Sequence, residues 1–273
     1  MATLVFFHAH PDDEAIATGG VMAKASAAGH RVILVTATRG EHGEVDDGFL
    51  EPGEQLWERR VKETAEAARI LGVHRQEFLG YVDSGMMGTP TNDATESFWQ
   101  ADLDSAAKRL AAILTEEKAD VLTVYDDHGG YGHPDHIQVH RVGVRAAEMA
   151  GTEDVFESTL NRDHILRLME QAREAGELPE DAPSPEDIEH GEGDIDPADP
   201  GFGMPESAIT TFVDVKDMVD LKRKAMAAHA SQISETSFFL AMPDDQFREA
   251  FGTEWFIHRG VTPGPGVRET QVV

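Results

Sequence analysis

The 273-residue chain contains no cysteine. This absence excludes disulfide scaffolds, thiolate nucleophiles and cysteine-ligated zinc sites, so histidine and carboxylate remain as the strong metal ligands. Basic residues are also scarce, because 23 Lys and Arg face 51 Asp and Glu, for a formal net charge of -28. Such a charge repels nucleic acid and anionic membranes, and it favours a soluble cytosolic surface or a surface adapted to salt.

Long apolar runs are missing as well. No stretch approaches the roughly 18 apolar residues of a membrane-spanning helix, so no membrane partner is expected. The chain enters its first apolar run at residues 3–9 without the pattern of a signal peptide, which predicts a cytoplasmic protein. With 40% hydrophobic residues, the chain 1–273 is predicted to form a single domain with its core at about 3–160 and 205–260.

One region differs sharply in composition from the rest. Residues 174–199 contain eleven Asp or Glu, four Pro and no Lys or Arg. Such a segment cannot bury a core, so an acidic flexible excursion is predicted over about 174–203. The Pro- and Gly-rich tail 262–273 is predicted to be loose.

The remaining sequence alternates between strand and helix patterns. Continuous apolar runs at 31–36 and 121–125 are typical of strands buried on both faces. Apolar periodicity predicts helices over 14–28, 54–71, 102–118, 134–150, 163–175 and 216–230. Further strands are predicted at 77–81, 154–158, 208–214 and 253–259, the last closing the sheet. This alternation predicts an α/β fold with a mostly parallel sheet, helices on both faces and a C-terminal strand-helix extension.

The first chemical motif follows the first strand, where residues 10–14 read His-Pro-Asp-Asp-Glu. Open α/β sheets bind their ligands beyond the carboxyl ends of the strands, which is where this motif lies. Two consecutive carboxylates cannot point the same way from an extended turn. We therefore expect Asp12 and Asp13 to have different roles, one as a metal ligand and the other as a base.

A second motif, His-Gly-Gly-Tyr-Gly-His-Pro-Asp-His at 128–136, follows the strand predicted at 121–125. One His and one Asp from the first motif and one His from the second would provide the three ligands of a catalytic zinc. This arrangement requires the two strands to be adjacent. A Mg²⁺ phosphotransfer site is disfavoured because no Gly-rich phosphate loop is present. A non-catalytic Rossmann-like binding module is disfavoured because Gly19 and Gly20 come too late for the dinucleotide fingerprint.

The two motifs together resemble the paired signature of the LmbE-like (PIG-L) zinc-dependent de-N-acetylases, whose fold is Rossmann-like. Stretches at 60–63, 83–86, 130–133 and 228–232 resemble the actinobacterial branch that processes mycothiol and its precursors. The resemblance implies a metal-dependent hydrolase that removes an acyl group, expected to be acetyl, from a small soluble amino-sugar conjugate of the N-acetylglucosaminyl-inositol type. A mycothiol-S-conjugate-type amidase and another N-acyl sugar deacetylase stay open, as does a homo-oligomeric state.

The resemblance also implies roles for the first motif. His10, Asp13 and His136 are expected to hold Zn²⁺, with Fe²⁺ as an alternative because the same ligand set suits both metals. Asp12 is expected to act as the general base for the attacking water. The carboxylate of Glu14 is expected to contact a metal-ligating histidine on the side away from the metal.

In the second motif, His133 is expected to be protonated, to stabilise the oxyanion and to donate a proton to the leaving nitrogen. Asp135 is expected to orient His133. The phenol of Tyr131 is expected to reach the developing oxyanion if its loop folds over the site.

Four further residues are predicted to contact the N-acylated sugar. They are Arg60, Asp83, Met86 and His229. For Arg60 the alternative is a surface ion pair with Glu63, and for Asp83 it is the capping of a turn.

Overall fold

The computed structural model describes residues 1–174, 176, 202–263 and 269–272. Apart from its ends, the predicted acidic excursion therefore lies outside the described residues. Within the described residues, seven strands form one sheet in the order β3-β2-β1-β4-β5-β7-β6. Their bounds are β1 Thr3–His8, β2 Arg31–Thr36, β3 Arg75–Phe78, β4 Val121–Tyr125, β5 Asp154–Thr159, β6 Thr211–Asp214 and β7 Thr253–His258.

Helices connect these strands and cover the sheet. They are α1 Asp13–Ala17, α2 Gly19–Ala27, α3 Leu56–Leu71, α4 Leu103–Glu117, α5 Pro134–Ala150, α6 Arg162–Glu174, α7 Val219–Ala228, α8 Phe238–Ala241 and α9 Asp244–Phe251. Short 3-10 turns lie at Pro90–Asp93, Phe98–Gln100 and Glu206–Ala208. Across the described ranges, no helix has the length and apolarity needed to cross a membrane.

The sheet is mixed but mostly parallel. Strands β1 to β5 pair in parallel, whereas β7 runs antiparallel to both of its neighbours, β5 and β6. The predicted α/β fold with a mostly parallel sheet is thus confirmed. The strand expected to close the sheet, β7, instead lies inside it, because β6 pairs along its outer side.

Both faces of the sheet are buried, as β1 illustrates. Leu4 and Phe6 belong to a core that also contains residues of α2, α3 and α7. Val5 and Phe7 point the other way, into a core with residues of α4 and α5. Because successive side chains of a strand alternate between faces, an uninterrupted apolar run needs helices on both sides.

The single helix predicted over 14–28 is broken at Thr18 into α1 and α2. A new helix start exposes backbone amides that need acceptors. The buried carboxylate of Glu254, on β7, accepts these hydrogen bonds from Gly20 at 2.7 Å and Val21 at 2.8 Å. The Nζ of Lys222 pairs with the same carboxylate at 2.6 Å. A residue distant in sequence therefore stabilises the break.

Strands β1 and β4 are neighbours at the centre of the sheet. The chain order of the strands reverses between them, because β2 and β3 extend to one side and β5 to the other. In open α/β sheets a ligand crevice forms at this switch point, beyond the carboxyl ends of the strands. Both sequence motifs follow these two strands, so the fold brings them together.

Candidate active site

Local backbone geometry positions the motif residues at the crevice. His10 and Asp12 lie in the turn between β1 and α1, and α1 begins at Asp13. On the other side, His133 is the N-cap of α5, where Pro134 takes the first helical position. The adjacency of the two strands that the three-ligand interpretation requires is therefore present.

The carboxylate of Asp13 lies between two imidazoles. Its Oδ2 is 3.4 Å from His10 Nδ1, and its Oδ1 is 3.4 Å from His136 Nε2. The backbone amide of His10 also donates to Oδ2 at 2.8 Å. Burial alone would raise the pKa of Asp13, but His136 and His10 outweigh it and hold this pKa well below its usual range. Asp13 is therefore an ionised carboxylate with two histidines beside it.

The ring of His136 is held in an orientation that suits a metal ligand, although Asp13 belongs to none of the compact donor groups of the described residues. Nδ1 of His136 contacts the carbonyl of Gly129 at 3.2 Å, whereas its buried Nε2 has no hydrogen-bond partner among the described residues. A hydrogen bond at one ring nitrogen is the usual way to orient a metal-binding imidazole. Among the described residues, three groups have donor atoms within 4.8 Å of one another. They are His10, His133 and His136; His10, Asp83 and Asp135; and Asp126, Asp127 and His128.

Asp135 supports His10 rather than His133. Its Oδ2 lies 3.1 Å from His10 Nε2 and accepts from the amide of Ser84 at 2.9 Å, while its Oδ1 accepts from the Ser84 hydroxyl. The expected orientation of His133 by this carboxylate is not what the structure shows. The reason is helical geometry, because at the start of α5 it is the backbone amide of Asp135 that faces His133 Nδ1, at 3.1 Å.

The surroundings of His133 disfavour the charged form of its ring. Burial, followed by the nearby His10 and His136, lowers the pKa of His133 to about 2. This shift opposes the expected imidazolium, whose role stays a prediction. Because Nδ1 accepts the hydrogen bond from Asp135, the proton of the neutral ring lies on Nε2. His133 thus presents an N–H donor.

Arg60 is buried and holds the turn that carries Asp12. Its guanidinium donates to the carbonyls of Pro11 at 2.6 Å and Gly40 at 2.9 Å, and it lies 3.3 Å from Asp12 Oδ2. Neither the predicted sugar contact nor the surface pair with Glu63 matches this position, because the guanidinium is enclosed between the two loops. Burial, opposed by Arg60 and reinforced by neighbouring carboxylates, raises the pKa of Asp12 to about 6.

Glu14 and His229 form a buried pair, and both are 0% exposed. Glu14 Oε1 lies 2.6 Å from His229 Nε2, and Glu14 Oε2 accepts from the amide of Asp12 at 3.0 Å. The expected support of a ligand histidine by Glu14 is therefore wrong, as is the expected sugar contact of His229. The histidine that Glu14 contacts belongs instead to the C-terminal segment.

Comparison with known proteins shows the family of this chain. Residues 5–147 match the PIG-L family model, described as GlcNAc-PI de-N-acetylase. The chain belongs to the PIG-L family. A relative from Acidothermus cellulolyticus, 1D-myo-inositol 2-acetamido-2-deoxy-alpha-D-glucopyranoside deacetylase, is 41% identical over 268 residues, covering 93% of this chain and 88% of the relative. A relative of the same name from Nocardiopsis dassonvillei is 42% identical over 262 residues, covering 91% of each chain.

The fold agrees with this assignment. The structure of N,N'-diacetylchitobiose deacetylase from Pyrococcus horikoshii superposes with a TM-score of 0.56 at 22% identity, covering 94% of this chain and 83% of that one. The family and the Rossmann-like fold predicted from the sequence are confirmed, and so is the enzyme class, an N-deacetylase.

Two side chains of the set predicted for this PIG-L chain are exposed. Tyr131 is 42% exposed, and its ring centroid lies 5.0 Å from that of His136. Met86 is 52% exposed on the loop after β3. Asp83, predicted to contact the sugar, is buried, and its oxygens accept from the amides of Gly85 at 2.8 Å and His42 at 3.2 Å. This loop-capping role is the alternative considered for Asp83.

One residue beside His136 was not predicted from the sequence. Tyr125, the last residue of β4, packs its ring against His136. Its hydroxyl lies 2.9 Å from Nδ1 of His8, whose Nε2 lies 2.8 Å from the Thr18 hydroxyl. The available signal was a polar aromatic residue that ends a buried strand at the ligand edge of the sheet.

Proposed function

We propose that this PIG-L chain removes the acetyl group from the amide nitrogen of a small soluble amino-sugar conjugate, 1D-myo-inositol 2-acetamido-2-deoxy-alpha-D-glucopyranoside. The observation that carries the proposal is the likeness to deacetylases of this name over more than nine-tenths of the chain. The clustered His and Asp residues at the β1–β4 crevice supply a site of the required chemistry.

The proposed metal ligands are His10, Asp13 and His136. This set is supported by the position of Asp13 between the two imidazoles and by His136 Nε2, which faces Asp13 without a hydrogen bond to any described residue. The carboxylate of Asp135 would orient the His10 ring through a hydrogen bond at His10 Nε2, as carboxylates do for ligating histidines. Two histidines and one carboxylate suit Zn²⁺, and Fe²⁺ as well. When bound, the cation lowers the pKa of the attacking water and polarises the acetamide carbonyl.

The proposed general base is Asp12. With a pKa of about 6, its carboxylate is ionised at neutral pH yet basic enough to accept the proton of the attacking water. Arg60 restrains this carboxylate at 3.3 Å. The proton taken up by Asp12 is then available for the departing amine, and the acetyl group leaves as acetate.

Two groups are proposed to stabilise charge during the reaction. The Nε2–H of neutral His133 would donate to the developing oxyanion or to the leaving nitrogen. The phenol of Tyr131 would approach the same oxygen from the rim, where Gly130 and Gly132 adopt φ of 77° and 89°. Only glycine adopts such angles without strain, which lets the loop present Tyr131 edge-on to His136.

A substrate panel tests the proposed activity. Purified protein loaded with Zn²⁺ or Fe²⁺ is incubated with N-acetylglucosaminyl-inositol, N-acetylglucosamine, N,N'-diacetylchitobiose and a mycothiol-type thioether conjugate. Release of free amine is then measured for each compound. The highest kcat/KM is expected for the inositol conjugate. Asp12→Asn protein is the matched control for amine released by contaminants.

Each other result has a definite meaning. A preference for the thioether conjugate would assign the chain as an amidase of that class. Equal kcat/KM for the inositol conjugate and plain N-acetylglucosamine would show that the inositol is not recognised. Either result would refute the proposed substrate while leaving the N-deacetylase family assignment in place.

A further inference from the structure

The backbone of Asp12 has an unusual conformation. Its φ is 95° and its ψ is -35°, and among the described non-glycine residues only Lys118 also has a positive φ. A non-glycine residue in this region is strained, and the conformation persists only when surrounding contacts enforce it. The conformation of the proposed base therefore needs an identifiable support.

Glu14 provides the first part of that support. Its Oε2 accepts the hydrogen bond of the Asp12 amide at 3.0 Å. This contact orients the peptide unit from which the Asp12 side chain projects. Glu14 itself is fully buried, so its carboxylate needs a further partner to be stable in that position.

His229 is this partner. Its Nε2 lies 2.6 Å from Glu14 Oε1, across 215 residues of sequence. His229 is the C-cap of α7 and is 0% exposed, so no sugar reaches it. It also lies outside residues 5–147, the part of the chain that matches the family model. The C-terminal segment thus contributes a contact that the matched region alone does not contain.

We propose that His229 is a positioning residue that acts through Glu14 to hold the catalytic base Asp12 in its strained conformation. The inference rests on the proposed function, in which Asp12 accepts the proton. Arg60 restrains the carboxylate from the side of α3. The pair of Glu14 and His229 restrains the backbone from the side of α7, so Asp12 is fixed from two directions.

A matched control lies two residues further along the chain. Ser231 donates from its amide to Glu63 Oε1 at 2.9 Å and from its hydroxyl to Glu63 Oε2 at 2.6 Å. This buried contact also joins the C-terminal segment to α3, but neither residue contacts Asp12 in the described hydrogen bonds and ion pairs. Ser231→Ala therefore measures the effect of loosening the segment by itself.

The first experiment compares steady-state kinetics and metal content. For His229→Ala, kcat is expected to fall about 10–100-fold, the usual effect of losing a supporting contact. The KM should stay within about twofold of wild type because the bound substrate touches no altered atom. A full equivalent of metal should remain bound. Ser231→Ala is expected to retain a kcat close to that of wild type.

Conservative variants separate positioning from loss of packing. Glu14→Gln keeps a side-chain oxygen that accepts from the Asp12 amide, so it should retain far more kcat than Glu14→Ala. The double variant Glu14→Ala/His229→Ala should be no slower than Glu14→Ala alone, since His229 acts through Glu14. Additive losses in kcat would contradict this.

Other outcomes overturn the proposal. A rise in KM without a fall in kcat would make His229 a substrate contact, and an equal loss in Ser231→Ala would indicate general loosening. A crystal structure of His229→Ala gives a test independent of turnover, because Asp12 is expected to leave the positive-φ region. An unchanged Asp12 backbone would refute the inference. If the proposed function is wrong, the wild-type protein itself will not prefer the inositol conjugate in the substrate panel. That result is distinct from any effect of His229→Ala.

Discussion

The ring of Tyr125 lies parallel to that of His136, with centroids 4.2 Å apart and 8° between the planes. The Tyr125 ring therefore covers one face of His136, and the Nδ1 of His136 is hydrogen-bonded to the carbonyl oxygen of Gly129. Together these contacts leave its Nε2 pointing at Asp13. A ligand held in this way is already oriented before a metal binds.

Replacement of Tyr125 should therefore affect metal affinity. Tyr125→Leu removes the flat ring, and we expect it to weaken metal binding about 10-fold or more, as loss of a supporting contact usually does. Tyr125→Phe keeps the stacking and should bind metal nearly as wild type does. Competition with a chelator measures both. Tyr81→Leu, which loses a ring contact to Phe98 instead, should leave metal affinity unchanged.

The ligand assignment predicts which variants lose metal altogether. Asp13→Ala and His136→Ala should retain no tightly bound divalent metal after dialysis, because each removes one of three ligands. His133→Ala should retain a full equivalent and lose activity. Elemental analysis decides between this set and the alternative of His10, His133 and His136. Loss of metal from His133→Ala would favour the three-histidine set.

Asp12 should be needed for turnover but not for metal. Asp12→Asn removes the proton acceptor, and a fall in kcat of about 10²–10⁴ is typical for a general base. The variant should bind a full equivalent of metal by elemental analysis. If Asp12→Asn kept most of the wild-type kcat, another group would have to accept the proton.

The pH dependence of kcat/KM should reflect the same carboxylate. A base is active when deprotonated, so activity falls as pH decreases through its pKa, which is about 6 for Asp12. A bound cation adds positive charge nearby and lowers that pKa. We therefore expect the acidic limb of the profile at or below about pH 6. An acidic limb well above neutral pH would exclude Asp12 as its origin.

The buried ion pair of Lys222 and Glu254 should be important for stability. Lys222→Met leaves Glu254 buried without its cation, which typically costs about 3–5 kcal/mol in the free energy of unfolding. Urea unfolding measures this loss. Lys24→Met is the control, because its ion pair with Asp217 is largely exposed and such pairs contribute about 0–1 kcal/mol. Equal losses in the free energy of unfolding for the two variants would show that burial of the ion pair does not decide its contribution.

The double variant Lys222→Met/Glu254→Gln refines this test. Without the buried charge, much of the lost stability should return, although Glu254 also accepts from the amides of Gly20 and Val21. No recovery would mean that the cost comes from packing around Lys222 rather than from the unpaired carboxylate.

Much of this protein was determined by the sequence itself. The uninterrupted apolar run of β4 and the helix of Pro134–Ala150 were predicted with the bounds that the structure shows. The two His/Asp motifs indicated the ligand edge of the sheet and the family. These features depend on neighbours in the chain, because strand burial, proline at the first helical position and motif spacing are local signals.

Tertiary structure decided which buried polar groups pair with one another. Glu14 meets His229, Asp135 meets His10, and Glu254 stabilises the break at Thr18. A buried carboxylate takes whichever partner the packing of distant elements brings within reach, and local sequence does not encode that choice. The lowered pKa of His133 has the same origin, because it depends on burial and on the nearby His10 and His136.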